Sequence, residues 1–339
     1  MNRHRGSGPA SAAQVNAVLG ALVVMVVVTG VASWVVELGT ARWWTVVHGV
    51  AGLAVLALAP AKARRSVRTG MRRRWPSRWL SVLFAGVVLA AVGLGLLHAS
   101  GLWFGVGYWS ALWTHLLLAF VAVPLLIWHL VARPAHLRPV DRDRRLVLRA
   151  GSALAVGAAA YTAQEVVVRL AGTAGGQRAG TGSHELGSGR PEAMPVTSWI
   201  DDRTPPRHQR SELTVDGRVV AVEELWGLAR TVTADLDCTG GWWSRQDWDA
   251  VDLATLLGPV AARSVRVVSA TGYQRLVPAT QLHRFHLAVG YGGEPLRAGH
   301  GAPVRLIAPG RRGPWWVKWV VEVVPDDRPA WLQPPFPLT

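Results

Sequence analysis

Cysteine is almost absent from this sequence, since Cys238 is the single cysteine among 339 residues. A chain with one cysteine cannot form an internal disulfide, so a disulfide-stabilised secreted framework is excluded. Acidic residues are also scarce: 21 Asp and Glu stand against 36 Lys and Arg, which leaves a formal net charge of +15. Such a surplus of basic residues is typical of proteins that bind nucleic acid or lie at an anionic membrane surface.

The distribution of the basic residues favours the membrane. Residues 61–78 hold eight basic residues and no acidic one, and they lie between two long apolar runs. A nucleic-acid-binding patch would not be expected in that position. We therefore predict membrane lipid as a partner and no nucleic-acid partner.

Hydrophobic residues make up 50% of the chain and are gathered into long runs. A helix needs about 20 such residues to cross a bilayer. Four runs come close to this length: about 15–37, 43–60, 79–99 and 110–132. A fifth, about 150–171, is richer in Ala and Gly and contains Gln164 and Glu165. The N-terminal half is therefore predicted to be an all-α transmembrane bundle of about five helices.

Lys and Arg near the ends of these runs predict the orientation of the bundle. They are concentrated in the N-terminal segment, in residues 61–78 and in residues 133–149, and are rare in the other connections. Because basic loops stay in the cytoplasm, we expect an integral protein of the bacterial cytoplasmic membrane with an extracytoplasmic C-terminal domain. Residues 144–149, RRLVLR, resemble a twin-arginine export signal, although a basic cluster before an ordinary helix explains them as well.

Histidines occur inside the predicted spans, where ionisable side chains are costly and usually functional. They are His48, His98, His115 and His129. His115 and His129 are 14 residues apart on one helix, which corresponds to a rise of about 21 Å. One histidine therefore lies near each membrane surface.

Neutral imidazole is a good axial ligand for haem iron, so this arrangement favours b-type haem. His48 and His115 lie at matching depths on the outer side and are the preferred axial pair, with His98 as the substitute. His129 would serve a second, inner haem. The alternative is that these histidines bond across the bundle without a metal.

The arrangement of helices and histidines resembles the cytochrome b561-like and formate-dehydrogenase gamma-like bundles over about residues 15–135. Those relatives often carry a histidine at the cytoplasmic start of the first helix, where this chain reads SAAQVNAVLG. The resemblance implies one outer haem and leaves the inner haem in doubt.

The composition changes after the fifth run. Residues 173–195 are rich in Gly, Ser and Pro, which predicts a flexible linker. Beyond them, ELTVDG predicts a strand with a turn at Asp216-Gly217, and residues 302–324 predict a β-hairpin around a Pro-Gly turn. Residues 248–257 suggest a short helix. The second half is therefore predicted to be a compact, β-rich α+β domain.

Two stretches of this domain resemble the molybdopterin-binding domain of the sulfite oxidase family: DLDCTGGWWSRQDW, and LAVGYGGEPLRAGHGAPVRLIAPGRRGPWWVKWV. That family includes sulfite oxidases, assimilatory nitrate reductases and periplasmic protein-methionine-sulfoxide reductases. The resemblance covers roughly residues 195–339. It implies that Cys238 is the catalytic thiolate ligand of molybdenum. It also implies that the molybdopterin is bound by His300, Gly301, Arg305, Lys318 and His208.

Two positions depart from the sulfite oxidase pattern. Trp243 stands five residues after the cysteine, where sulfite oxidases have an arginine that helps to hold sulfite. Phe336 lies in the late stretch where they have a tyrosine. An aromatic, less cationic pocket favours a neutral substrate such as a sulfoxide or an N-oxide.

These observations predict four segments: a four-helix b-haem module (1–140), a twin-arginine-like segment with a fifth helix (141–172), the linker (173–195) and the molybdopterin domain (196–339). The predicted function is oxygen-atom transfer to or from a small substrate, with electrons exchanged through haem with quinone or a cytochrome. One alternative is the same enzyme on a haem-free membrane anchor that uses a separate cytochrome. Another is a non-catalytic membrane binding protein.

Overall fold

The computed structural model describes residues 12–72, 78–106, 109–132, 144–197, 204–205 and 211–334. The chain divides into two compact units. The first comprises residues 1–33 and 42–178, and the second comprises residues 34–41 and 179–339.

Five long helices form the first unit, as the apolar runs predicted. They are α1 (Ala12–Val35), α2 (Leu38–Arg72), α3 (Arg78–Ser100), α4 (Ala111–Ala132) and α5 (Arg144–Leu170). All five are long and apolar enough to cross a membrane. Helix α2 extends well beyond its apolar run, because the Ala, Lys and Arg that follow are good helix formers. The basic segment predicted as a loop is therefore largely helical.

Small residues bring α5 against α2. A Cβ atom at Gly157 would overlap the carbonyl oxygen of Val50 and lie 3.0 Å from the Cβ of Ala54. A Cβ at Gly49 would lie 2.6 Å from the Tyr161 ring. The Ala- and Gly-rich composition of the fifth run is thus explained by close helix packing, which small residues permit.

The acidic residue of the fifth run is also accounted for. Glu165 of α5 forms an ion pair with Arg178, whose guanidinium also donates to the carbonyl oxygen of Ala99, 2.9 Å away. This connection joins the end of α5 to the end of α3. A two-stranded hairpin, β1 (Gly105–Val106) and β2 (Trp109–Ser110), lies between α3 and α4.

Two β-sheets form the second unit, as the predicted α+β class requires. The first contains β3 (His184–Glu185), β6 (Arg230–Cys238), β7 (Trp242–Asp252), β10 (His286–Tyr291), β11 (Glu294–Pro295) and β12 (Arg305–Ile307). The second runs in the order β5 (Arg218–Ala221), β4 (Glu212–Val215), β13 (Val320–Asp326), β8 (Ser264–Ser269) and β9 (Gln274–Pro278). Two short helices, α6 (Val222–Leu228) and α7 (Leu253–Leu257), accompany them. A buried core includes Trp248, Phe285 and Leu287.

The predicted turn at Asp216-Gly217 is confirmed. These residues join the antiparallel strands β4 and β5, with φ values of 47° and 76°. Positive φ at both central positions is the requirement of the tight hairpin turn that Asp-Gly pairs favour.

The predicted hairpin over residues 302–324 is confirmed only in part. Its two arms share backbone hydrogen bonds, from Leu306 to Val317 and from Val320 to Val304, but β12 and β13 belong to different sheets. Strand β12 pairs with β10 in the first sheet, whereas β13 pairs with β8 and β4 in the second. The segment between them contains the turn residues 313–315 and crosses from one sheet to the other. Alternating side chains reveal a strand but not its partner, because pairing is a long-range property.

The helix predicted over residues 248–257 is also shorter than expected. Residues 248–252 belong to β7, and only Leu253–Leu257 form a helix. Asp252 caps this helix by accepting hydrogen bonds from the backbone N–H groups of Ala254 and Thr255. The cap marks the start of the helix, as a short Asp side chain commonly does.

Residues 179–195 were predicted to form part of a flexible linker. That prediction is wrong for them, because they pack within the second unit. Strand β3 pairs in parallel with β7, and Ser183, His184 and Met194 are buried. A Cβ at Gly187 would lie 2.6 Å from the backbone nitrogen of Met194. The glycines there permit close backbone packing, a role that composition cannot distinguish from flexibility.

Candidate functional site

Cys238 ends strand β6, and the turn that follows leads directly into β7. It is 8% exposed and pairs with Trp242 across the hairpin. The backbone N–H of Gly240 donates to the Cys238 Sγ at 3.3 Å. A Cβ at Gly240 would lie 3.5 Å from that sulfur and 3.3 Å from the Thr197 Oγ1. The turn therefore presents a buried thiol with an amide donor beside it.

Burial raises the pKa of the Cys238 thiol, because a low-dielectric setting disfavours the thiolate. The Gly240 N–H, the Thr197 hydroxyl and the charge of Lys318 act in the opposite direction. A metal binds the thiolate and not the thiol. These three groups are therefore placed to favour the form that a metal requires.

Thr197 connects several parts of this site, although no sequence motif marked it. Its Oγ1 accepts a hydrogen bond from the Trp242 indole at 2.9 Å. Its carbonyl oxygen accepts one from the Lys318 Nζ, also at 2.9 Å. One threonine thus links the Cys238 hairpin to the lysine that the sequence predicted.

His300 is buried at 3% exposure, and both of its ring nitrogens are engaged. The Nε2 lies 3.1 Å from the carbonyl oxygen of Met194, and the Nδ1 lies 3.0 Å from the Tyr291 hydroxyl. Since a carbonyl only accepts, the Nε2 carries the proton and the Nδ1 accepts from Tyr291. Burial and the charges of Arg305 and Lys318 lower the pKa of His300 to about 4. The imidazole is therefore neutral at physiological pH and held in one tautomer.

Arg305 is buried inside the domain and does not lie at its surface. It is 2% exposed, and its guanidinium lies 5.2 Å and 5.6 Å from the ring centroids of Trp248 and Trp316. Its Nη1 donates to the carbonyl oxygen of His300 at 2.9 Å. Burial lowers the pKa of Arg305 to about 10, opposed by Cys238 and Tyr291, so the guanidinium stays charged at neutral pH.

Gly301 brings the two predicted motif segments together. A Cβ there would lie 3.1 Å from the Cβ atoms of both Arg305 and Lys318. Its φ of 106° is also one that other residues rarely adopt. Position 301 therefore requires glycine for two reasons: the backbone has a positive φ there, and there is no space for a Cβ atom.

A buried ion pair that the sequence did not predict lies at the residue directly before Cys238. Arg312 lies 3.2 Å from the Asp237 carboxylate, and both side chains are 4% exposed. Thr181 and Ser183 donate to the same carboxylate at 2.6 Å and 2.7 Å. Asp237 precedes Cys238 directly, so this network holds the end of β6 in place. Two of its four members come from the segment predicted as a linker.

The strand register corrects the role that the sequence suggested for Trp243. Trp243 pairs with Asp237, whereas Trp242 pairs with Cys238. Opposed residues in an antiparallel pair project to the same face, and successive residues alternate. Trp242 therefore shares the face of Cys238 and Trp243 does not. The other predicted positions, His208 and Phe336, lie outside the described residues.

Two of the predicted haem ligands are brought together in the helical unit. The rings of His48 on α2 and His115 on α4 have centroids 5.9 Å apart and planes inclined by 84°. Their Nδ1 atoms lie 2.9 Å and 2.7 Å from the carbonyl oxygens of Val26 and Ala91. Anchoring through Nδ1 orients the ring and leaves Nε2 for a metal, the arrangement common among metal-binding histidines.

Glycines make room for both rings. A Cβ at Gly30 would lie 3.1 Å from the His48 ring, and one at Gly95 would lie 3.3 Å from the His115 ring. The remaining predicted ligands have aromatic neighbours. The His98 ring centroid lies 6.3 Å from that of Phe104, and the His129 centroid lies 5.5 Å from that of Phe84.

In the part of the chain that the structure describes, no three His, Cys, Asp or Glu side chains are grouped to hold a metal ion. A metal at Cys238, or between His48 and His115, would therefore take most of its ligands from an organic cofactor. The residues around Cys238 fit a phosphate-bearing cofactor. Glycines allow close approach, and among the described residues the Nε atoms of Arg305 and Arg312 are buried donors without a hydrogen-bond acceptor.

A β-rich domain with one buried thiol and buried cationic donors fits a metalloenzyme whose metal is carried by an organic cofactor. Residues 204–331 match the family model of the oxidoreductase molybdopterin binding domain. The second unit therefore contains an oxidoreductase molybdopterin-binding domain, as the sequence predicted, and the match covers less than half of the chain.

Solved structures of other proteins resemble part of the chain. The crystal structure of the sulfane dehydrogenase SoxCD from Paracoccus pantotrophus is 23% identical, with a TM-score of 0.34. The similarity covers 41% of this chain and 46% of that one, so the chain spans less than half the length of this relative. No curated protein sequence matches the chain significantly.

Proposed function

We propose that this protein is a membrane-bound molybdenum oxidoreductase that transfers an oxygen atom to or from a small substrate outside the cytoplasm. The observation that supports it best is the buried Cys238 thiol within a matched molybdopterin-binding domain. Cys238 would hold the metal, and His300, Gly301, Arg305 and Lys318 would surround the pterin. The sequence resemblance adds His208 to this set as a proposed pterin ligand.

When bound, molybdenum supplies two-electron oxygen-atom chemistry, which no side chain of the protein can perform. The chain's own residues prepare the site. Thr197, Gly240 and Lys318 favour the Cys238 thiolate. His300 stays neutral. Its hydrogen bonds with the Tyr291 hydroxyl and the Met194 carbonyl hold its ring in one orientation. The protein side chains would therefore bind and orient the cofactor and the substrate.

A neutral substrate such as a sulfoxide or an N-oxide suits this site better than sulfite. Trp242 shares the face of Cys238, and the nearby Lys318 ammonium is already bonded to the Thr197 carbonyl. A redox-dye screen of sulfoxides, N-oxides, sulfite and nitrate tests this choice. Turnover of sulfite or nitrate faster than of every sulfoxide and N-oxide would show that it is wrong.

We propose that the helical unit binds one haem b between His48 and His115. The support is their ring separation of 5.9 Å and the anchoring of both Nδ1 atoms to backbone carbonyls. Haem supplies one-electron chemistry when bound, which suits exchange with quinone or a cytochrome. His98 remains the substitute ligand, and a second haem at His129 is not part of this proposal. The rival is the same enzyme on a haem-free anchor.

The molybdenum site is tested by the metal content of Cys238→Ser. A hydroxyl does not replace a soft thiolate ligand, so we expect the molybdenum per protein to fall about tenfold or more. Thr239→Ser, which removes one methyl group from the next residue, is the matched control and should retain the metal. Equal molybdenum in wild type and Cys238→Ser would remove the role assigned to this thiol.

The haem site is tested by the absorption spectrum of the full-length protein purified from membranes. We expect a Soret band in the wild type, its loss in His48→Ala and His115→Ala, and its retention in His129→Ala. The absence of a Soret band from the wild type would instead support the haem-free anchor.

A further inference from the structure

A cavity lies inside the helical unit, and neither His48 nor His115 lines it. Its volume is about 360 Å³, within the range of small-molecule pockets, and helices α1 to α4 all line it. Its polar lining residues are Asn16, Lys62, Ser81 and His129. The other lining residues are apolar or glycine, and include Val55 and Val88.

The polar and apolar residues lie at opposite ends of this cavity. On α1 the lining runs from Asn16 to Val23, and on α2 it runs from Val55 to Ala63. The two stretches correspond to about 10 Å and about 12 Å of helix. Asn16 and Ser81 stand at the starts of α1 and α3, whereas Lys62 and His129 stand towards the ends of α2 and α4. The cavity is therefore amphiphilic, with a polar mouth and an apolar interior.

One polar group at this mouth is prepared for a ligand. Within the described part of the chain, the Ser81 Oγ is buried and has no hydrogen-bond partner. A polar group buried without a partner inside a membrane bundle is costly, which favours a function for it. Nearby, the rings of Phe84 and His129 lie 5.5 Å apart with planes inclined by 32°. Both rings line the same cavity as Ser81 and offer flat surfaces to a ligand there.

These features fit a quinone head group. Its carbonyl oxygens accept hydrogen bonds from groups such as Ser81 and Lys62, its ring packs against aromatic side chains, and its isoprenoid tail requires an apolar path. A second haem fits less well, because His129 is the only histidine among the described lining residues. An anionic lipid head group would need more fixed cations than Lys62, the one Lys or Arg in that lining.

We propose that this cavity binds the head group of a membrane quinone, with Ser81 and Lys62 as hydrogen-bond donors and Phe84 and His129 as ring contacts. This proposal rests on the proposed function and adds to it the site at which the quinone binds. It also assigns His129 to the quinone and not to a second haem.

The test is equilibrium binding of oxidised 2-methyl-1,4-naphthoquinone to the full-length protein in nanodiscs of neutral lipid. Ala85→Phe fills the cavity from α3, whereas Ala90→Phe makes the same change at an exposed position of that helix outside the lining. We expect saturable binding in the wild type and in Ala90→Phe. We expect Kd to rise at least about tenfold in Ala85→Phe, because the ring occupies the ligand's space.

A second variant keeps the cavity open. Ser81→Ala removes one donor without adding volume, and we expect Kd to rise roughly three- to tenfold. The molybdenum content and the Soret band should remain unchanged in all three variants. Since binding is measured without turnover, loss of the Soret band with quinone binding intact would overturn the proposed haem but not this site.

Three results would overturn the proposal. One is equal affinity in wild type, Ala85→Phe and Ser81→Ala. Another is a wild type with two haems per chain, of which His129→Ala loses one. The third is abolition of quinone binding when anionic lipid is added to the nanodiscs, which would identify a lipid head group as the occupant.

Discussion

At the scale of single residues, the site is organised by what surrounds the Cys238 sulfur. The motif around this cysteine predicted the ligand, and the structure adds the groups that adjust its charge. Thr197 could not be predicted, because a lone threonine near a Gly-rich stretch carries no signal. Its importance arises only when folding places it against Cys238 and Lys318.

The Thr197 hydroxyl lowers the pKa of Cys238, so its removal should raise that pKa. We expect the thiol of metal-free Thr197→Val to titrate at higher pH than that of the wild type, because the hydrogen bond that favours the thiolate is lost. Thr197→Ser keeps the hydroxyl and should titrate like the wild type. Thiolate absorbance measured against pH gives the answer directly, because Cys238 is the only cysteine. Identical titration of the valine variant and the wild type would exclude this role.

At the scale of elements, glycines and turns decide how the strands meet. Arg305 and Lys318 belong to a stretch that the sequence predicted as one hairpin. Its two arms meet through backbone hydrogen bonds between Val304–Leu306 and Val317–Val320 and at the glycine Gly301, while the strands β12 and β13 enter different sheets. Arg305 and Lys318 therefore lie close together although the two strands are not neighbours in one sheet.

Replacement of Gly301 by alanine should be more destabilising than the same change at Gly293. Both glycines have positive φ, 106° and 84°, but only Gly301 is crowded by other atoms. We expect Gly301→Ala to lower the unfolding free energy by about 2 kcal/mol more than Gly293→Ala. Denaturant unfolding followed by tryptophan fluorescence measures the difference. Equal losses would show that backbone conformation, and not crowding, makes Gly301 necessary.

At the scale of the whole molecule, five apolar helices and a β-rich redox domain are joined in one chain. The apolar runs predicted the helices well because a bilayer-length run requires little more than uninterrupted hydrophobic residues. The boundary between the units was less accurate. It lies after residue 178, since residues 179–195 pack with the sheets and do not form the predicted linker.

The basic residues predict how these helices are oriented. An alkaline phosphatase reporter fused after Thr339 should be active, and one fused after Arg72 should be inactive, because that enzyme folds only outside the cytoplasm. The physical reason is the cost of moving the basic 61–78 segment across the membrane. The opposite pattern of activity would reverse the predicted topology.

The sequence alone determined the features that depend on local chemistry. Hydrophobic length set the five helices, matching depths within the helices indicated the His48–His115 pair, and a short motif pointed to Cys238. Only the tertiary structure decided the features that depend on distant residues. The Asp237–Arg312 pair, the position of Trp242 and the contacts of Thr197 each join segments far apart in the chain. Such pairings are selected by packing and burial, which single-residue patterns do not record.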